Sequence, residues 1–302
     1  MKKQTIEEYV PSTYAKALAV AEAKMGKTVF LAAGGLGVLP WQKFGGVVDD
    51  PSHMHIVSLD ANAAGGVGSF LDMCGADKGA KKVNVYNLQD DVRKVAQSTY
   101  DKNYDFYNLM IQVLHDIESR VKSSKGIHLV LMSSLTTLAQ TLERAIAGPP
   151  GDPDKGGLGM DQNKWTEYAR QINELRNLYQ QDSWHLIWEG HVYRPPDTSQ
   201  QASRRTVEGG DKKETIQVSG KAGFQFPNNV EQVFRVRRNY GQTFEKTKVE
   251  EMYFDTRPTM DFVPGGRLFT EKLDPREPDM TLAFYKLGLS VGRWGAKKSS
   301  KK

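Results

Sequence analysis

The 302 residues, 39% hydrophobic and 25% charged, suit one large α/β domain with or without an appended module, and they exclude a mostly disordered chain. No apolar run nears the ~18 residues of a membrane helix, Met1-Lys2-Lys3-Gln4 leads into Glu7 and Glu8 rather than a secretory leader, and the lone Cys74 excludes an internal disulfide framework or a cysteine zinc site, as expected of a reducing, intracellular setting. Arg293, Lys297, Lys298, Lys301 and Lys302 in the last ten residues account for the whole net charge of +5, so the rest of the chain balances to zero and has no net field to draw polyanions.

In chain order, Ser12 and the alanine-rich run to Met25, closed by Gly26, read as N-cap, helix and C-terminal glycine. Thr28 to Ala33 then reads as a short buried strand, followed by a loop with glycines 34, 35 and 37. His55 to Leu59 is a second strand, ending at Asp60, and Val83 to Tyr86 a third. Tyr107, Met110, Ile111, Leu114, Ile117 and Val121 recur at helical spacing. After Gly126, Ile127 to Met132 is a continuous apolar strand. A further helix follows Asp161, with Trp165, Tyr168, Ile172 and Leu175 on one side, and leads into an apolar strand at Trp184 to Trp188.

Apolar strands alternating with amphipathic helices predict a mostly parallel sheet flanked by helices. The expected organisation is an α/β core over residues 1–192, a mobile polar loop over 193–214, a β-rich continuation of the same domain over 215–290 and a basic tail over 291–302. The continuation shows the alternation of antiparallel strands, as in Val233-Phe234-Arg235-Val236-Arg237. The Gly/Pro stretch at 148–159 reads as a loop.

A phosphate loop needs Gly-x-x-x-x-Gly-Lys-Ser/Thr after a strand and before a helix. Gly26-Lys27-Thr28 matches its end, but Ala21 stands at the leading glycine and the triplet reads as a helix C-cap running into a strand. The segment expected after the first strand is Gly34-Gly35-Leu36-Gly37-Val38-Leu39-Pro40-Trp41-Gln42-Lys43, which has glycines and a lysine but no Gly-Lys-Ser/Thr.

Four places resemble the phage-encoded RecA-like P-loop NTPases, the phage nucleotide-binding or AAA-type proteins. They are this glycine loop, His-Leu-Val-Leu-Met-Ser-Ser-Leu-Thr-Thr-Leu at 128–138, Trp-His-Leu-Ile-Trp-Glu-Gly-His at 184–191, and Gly220-Lys221-Ala222-Gly223 with Val230 to Arg237. The resemblance covers about residues 13–290 in outline and implies a RecA-like fold. It also implies that Ser133 stands where the family has its metal-orienting aspartate, that His191 matches a nucleotide-sensing histidine, and that Lys221 matches a lysine reaching a neighbouring subunit.

Gly34, Gly35, Gly37, Lys43, Asp60, Ser133 and His191 are therefore the candidate nucleotide pocket. Arg235, Arg237 and Arg238, with Tyr240 and Phe244 nearby, and Lys297 and Lys298 in the tail are the candidate nucleic-acid contacts. His53 and His55 share a face if the strand has begun, but without a third ligand no metal site is expected. Cys74 lacks a neighbouring base.

With neither an ammonium nor a carboxylate placed to grip magnesium and a triphosphate, the leading expectation is a catalytically degenerate RecA-like phage protein. It would be a structural subunit of virion assembly, needing no cofactor and touching other phage proteins and copies of itself, in the host cytoplasm or the virion. The alternative is a phage recombination or replication protein that binds ATP and magnesium through Gly35, Gly37 and Lys43.

Overall fold

The computed structural model describes residues 13–59, 66–68, 71–72, 81–88, 106–147, 160–177, 183–193, 215–219, 226–227, 230–244, 249–256, 265–266 and 272–292. Asp60, Cys74, Lys221, Lys297 and Lys298 lie outside them, as do the Gly/Pro stretch at 148–159, all but the first residue of the polar loop, and the tail from 293.

The helices are α1 (Lys27–Leu36), α2 (Phe106–Ser123), α3 (Leu135–Ala147), α4 (Gln162–Asn177) and α5 (Met280–Lys286). The strands are β1 (Lys16–Ala21), β2 (Met54–Ser58), β3 (Asn84–Asn87), β4 (Leu129–Ser133), β5 (His185–Tyr193), β6 (Thr215–Ile216), β7 (Gln232–Phe244), β8 (Val249–Asp255), β9 (Gly265–Gly266) and β10 (Arg276–Glu277). They form one sheet in the order β10-β8-β7-β1-β5-β4-β2-β3, with β6 beside β5 and β9 beside β7.

Every neighbouring pair from β7 through β1, β5, β4 and β2 to β3 is parallel. Strands β8, β10, β6 and β9 pair antiparallel. The fold is thus the expected α/β class: a mostly parallel sheet flanked by helices, with antiparallel strands contributed from the C-terminal part of the chain.

The start of the chain differs from the expectation. Ala15 to Ala21 reads as helix because alanine has the highest helix propensity, yet Lys16–Ala21 is a central strand buried along its whole length. Strand alternation explains it. Ala17, Ala19 and Ala21 face one side, and Leu18 and Val20 the other. The alanines leave room for α1 to lie close on the sheet, and burial of both faces outweighs local propensity. Thr28 to Ala33, expected as a strand, is accordingly the body of α1, and its Phe30, Leu31 and Leu36 sit in the core beneath it.

Strands β2 to β5 and helices α2 and α4 fall where the apolar pattern puts them, whereas α3 and α5 are not among the expected elements. On one face of the sheet α1 and α5 pack over Ile56, Leu131, Ile187 and Phe254; on the other, α2, α3 and α4 cover Val57, Val130, Met132 and Trp188. No described helix is long and apolar enough to cross a membrane.

Candidate phosphate site at the carboxyl edge of the sheet

Once β1 is a strand, Gly26-Lys27-Thr28 changes meaning. The chain leaves the carboxyl end of β1 at Ala21, turns through Glu22 to Gly26 and enters α1 at Lys27. This is the strand–loop–helix order that a phosphate loop requires, with Ala21 in the leading glycine position.

Two residues turn the loop with positive φ, Lys24 at 62° and Gly26 at 81°. Gly26 opens α1 without any side-chain cap, which leaves the first-turn N–H groups of the helix to face the loop. Such a terminus, with the helix dipole behind it, favours an anion. The Lys27 side chain is buried and folds back over the loop, its Nζ donating to the Glu22 carbonyl at 3.4 Å.

Thr28, in the first turn, donates from Oγ1 to Glu189 Oε2 at 2.7 Å and lies 3.0 Å from Ser133 Oγ. Ser133 Oγ in turn donates to the same Glu189 oxygen at 3.3 Å. Strand alternation brings the three together. On β5 the side chains of Leu186 and Trp188 face α2–α4 and that of Ile187 faces α1, so Glu189 also points under α1. On β4, Leu129 and Leu131 share the α1 face, which puts Ser133 there as well. Glu189 is 1% exposed, in register with Ala19 of β1. A carboxylate inside a strand of this apolarity needs hydrogen-bond donors, and the two hydroxyls supply them.

An ammonium and a carboxylate therefore do stand at this edge, contrary to the expectation that both were missing. Ser133 closes β4, and the carboxylate beside it, Glu189, comes from the neighbouring β5. Gly26-Lys27-Thr28 loses its phosphate role when Thr28 to Ala33 reads as a strand, and Glu189 is hidden by the apolar run around it. The one available signal was the Trp188-Glu189-Gly190 triplet, where a charge interrupts that run.

Other candidates fall elsewhere. Gly34 and Gly35 are inside α1 and Gly37 caps its end, at the opposite, amino edge of the sheet. A Cβ on Gly35 would come within 2.6 Å of Leu129 and Met54, the first residues of β4 and β2, so this glycine allows close helix–sheet packing. Gly37, at φ +72°, turns the chain where Gly46 crosses, 2.3 Å from where a Cβ would stand. Lys43 belongs to the same edge: its backbone N–H donates to Asp279 Oδ2 at 2.9 Å, and Asp279 is the N-cap of α5. This glycine loop does not follow a strand and is not brought to Ser133.

His191, half-buried on β5, is in register with Ala21, and its backbone N–H donates to Thr136 Oγ1 at 3.1 Å. Three candidate nucleic-acid residues on β7 are engaged within the molecule. Arg235, 1% exposed, pairs with Glu22 at 2.5 Å, Arg237 with Asp255 at 2.8 Å, and Arg238 donates to the Met25 carbonyl from Nε at 3.1 Å and Nη2 at 2.7 Å. Two of these arginines, Arg235 and Arg238, thus hold residues of the loop, Glu22 and Met25, while Tyr240 is exposed.

His53 and His55 do lie close together, with a third imidazole, His128. His55 Nε2 is 3.2 Å from His128 Nδ1, and the His53 and His128 rings are 4.2 Å apart. Burial, and after it the neighbouring His128, pushes His55 down to about 3, and burial followed by the neighbouring His53 pushes His128 down to about 4. No group of three or more His, Cys, Asp or Glu among the described residues is arranged to hold a metal ion.

Fold and site together define a mostly parallel α/β protein whose central strand leads through a glycine-ended loop into a helix beginning Lys-Thr. No family model matches the chain, and no curated protein matches it. Among solved structures it is similar to one titled "Crystal structure of the RadB recombinase", with 10% identity, a TM-score of 0.35, and coverage of 80% of this chain and 89% of that one.

Proposed function

We propose that the protein binds a magnesium nucleoside triphosphate, ATP being the one the RecA-like resemblance implies, in the loop from Glu22 to Thr28. The observation that carries this reading is Thr28, opening α1 directly after Lys27 and bonded to the buried Glu189 carboxylate at 2.7 Å.

Each residue has a definite task. The loop and first-turn N–H groups donate to phosphate oxygens. The Lys27 ammonium leaves the Glu22 carbonyl and meets the terminal phosphates. The Thr28 hydroxyl would ligate the metal, and Glu189, with Ser133, would orient the ion's waters. A magnesium site needs only one or two carboxylates beside the phosphates, because the ion keeps several waters, so this donor set fits. When bound, the ion neutralises phosphate charge and polarises the phosphoryl oxygens.

This reading replaces the inert virion scaffold, whose premise was the missing ammonium and carboxylate. The cellular setting that accompanies it is DNA recombination or replication, the second of the two sequence-based readings. Titration of a fluorescent ATP analogue with magnesium tests the core of the proposal. Micromolar binding should fall at least 30-fold in Lys27→Ala and stay within twofold in Lys43→Ala. Loss in the Lys43 variant with retention in the Lys27 variant would reinstate the glycine loop at residues 34–43.

A further inference from the structure

We infer that Arg238 is a positioning residue for phosphate binding: by holding the Met25 carbonyl from β7 it turns the Gly26 N–H into the concavity of the loop. The inference rests on the Glu22–Thr28 loop being the phosphate site.

Strand β7 runs parallel to β1 and continues past its carboxyl end. Val20 is in register with Arg235, so Arg238 reaches beyond the sheet edge to the level of the loop. There its guanidinium places two N–H groups on one acceptor, the Met25 carbonyl, at 3.1 and 2.7 Å. It is held from the far side by Glu250 of β8 at 3.6 Å.

The peptide unit is planar and trans, so a carbonyl and the following N–H point in opposite directions. With the Met25 carbonyl drawn toward β7, the Gly26 N–H is directed away from it, toward the loop's interior. A free glycine-flanked peptide can flip, and a flipped one would present a carbonyl oxygen to the phosphates. The same clamp explains the approach of Arg238 Nη2 to Gly26, where an added Cβ would stand 3.5 Å away.

The loop's other end is tied by the same strand, through Arg235 and Glu22 at 2.5 Å. That pair keeps the one carboxylate of the loop directed at β7 rather than at an incoming polyanion. Holding both ends from β7 gives the loop a fixed shape although Ala21 occupies the leading glycine position.

Charge alone and positioning predict different outcomes. Pyrophosphate binding, measured by calorimetry with magnesium, reads the anion nest without contributions from base or ribose. Arg238→Ala should weaken it about 10-fold, with unliganded melting within a few degrees of wild type. Arg238→Lys keeps the charge but not the two-pronged grip, and should remain within threefold of the alanine variant. The backbone amide resonance of Gly26 should move on pyrophosphate addition in wild type and hardly at all in either variant. Wild-type affinity in Arg238→Lys would reduce the residue to a long-range charge and overturn the inference. Wild-type affinity in Arg238→Ala, alongside loss in Lys27→Ala, would overturn it while leaving the phosphate site intact. A wild-type chain that binds neither nucleotide nor pyrophosphate would remove both.

Discussion

Mild acid should destabilise this protein well above the pH at which carboxylates titrate. Three imidazoles are buried in the folded state: His55 and His185 are pushed down to about 3 and His128 to about 4, in each case chiefly by burial. His185 is further committed to the neutral form by the bond at its Nδ1, which only an unprotonated nitrogen can accept. Its Nδ1 accepts from the Ala15 N–H at 2.9 Å and its Nε2 donates to the Ser290 carbonyl at 2.8 Å. The ordinary value near 6.5 returns on unfolding. A depressed histidine value means that the unfolded chain binds more protons between the two values. The stabilisation is therefore complete above about pH 6.5 and drains away as pH falls toward 4. At pH 5 each histidine should cost about 2 kcal/mol, or about 6 kcal/mol for three, against a typical total of about 5–15 kcal/mol. Carboxylates act lower: the Arg170 guanidinium holds Glu167 down to about 2, and that contribution fades only below about pH 4.5. Urea unfolding at pH 7.5, 6 and 5 measures the effect, and His185→Gln should remove about a third of the slope. Equal unfolding free energies at pH 7.5 and pH 5 would refute the reasoning.

The other predictions concern the two ends of α1. Gly35→Ala should lower stability by about 1–3 kcal/mol, because the new methyl meets Leu129 and Met54, while nucleotide affinity of the folded fraction stays unchanged. Gly26→Ala, at φ +81°, should cost about 1–2 kcal/mol and weaken nucleotide binding as well, as titration and melting together would record. Glu189→Gln keeps the shape but removes the charge. Magnesium-dependent nucleotide binding should fall 10-fold or more in it, whereas magnesium-free binding should change less than threefold. Asp279→Ala removes the acceptor for Lys43, Phe44 and Leu282 N–H groups and should lower stability by about 1–3 kcal/mol in thermal melts without touching nucleotide affinity.

Much of the fold is legible in the sequence because burial on both faces writes itself as unbroken apolar runs: β4, β5 and the helices before them need no tertiary information. β1 is the exception, and an instructive one. Its alanines carry a helix signal, and only the alternation with Leu18 and Val20 betrays a strand. That single inversion shifts the candidate phosphate loop one element along the chain, from Glu22–Thr28 to the glycines that end α1. Ser133 ends β4 and His191 stands level with the last residue of β1, positions that the apolar runs before them indicate. Glu189 is not so indicated, because its partner Thr28 is 161 positions away and their meeting depends on how β1 and β5 pair. The loop-supporting role of Arg235 and Arg238 likewise depends on β7 lying beside β1, a long-range parallel pairing that local pattern does not encode.

The proposed site puts triphosphate in the Glu22–Thr28 loop and metal between Thr28 and Glu189. Crystals grown with manganese and a non-hydrolysable ATP analogue locate both at once through the anomalous signal of the ion. The anomalous peak is expected within coordination distance of Thr28 Oγ1, with phosphate oxygens on the N–H groups of Gly26 to Thr28. Nucleotide seated against Gly34 to Gly37 and Lys43 instead, at the other edge of the sheet, would contradict that placement.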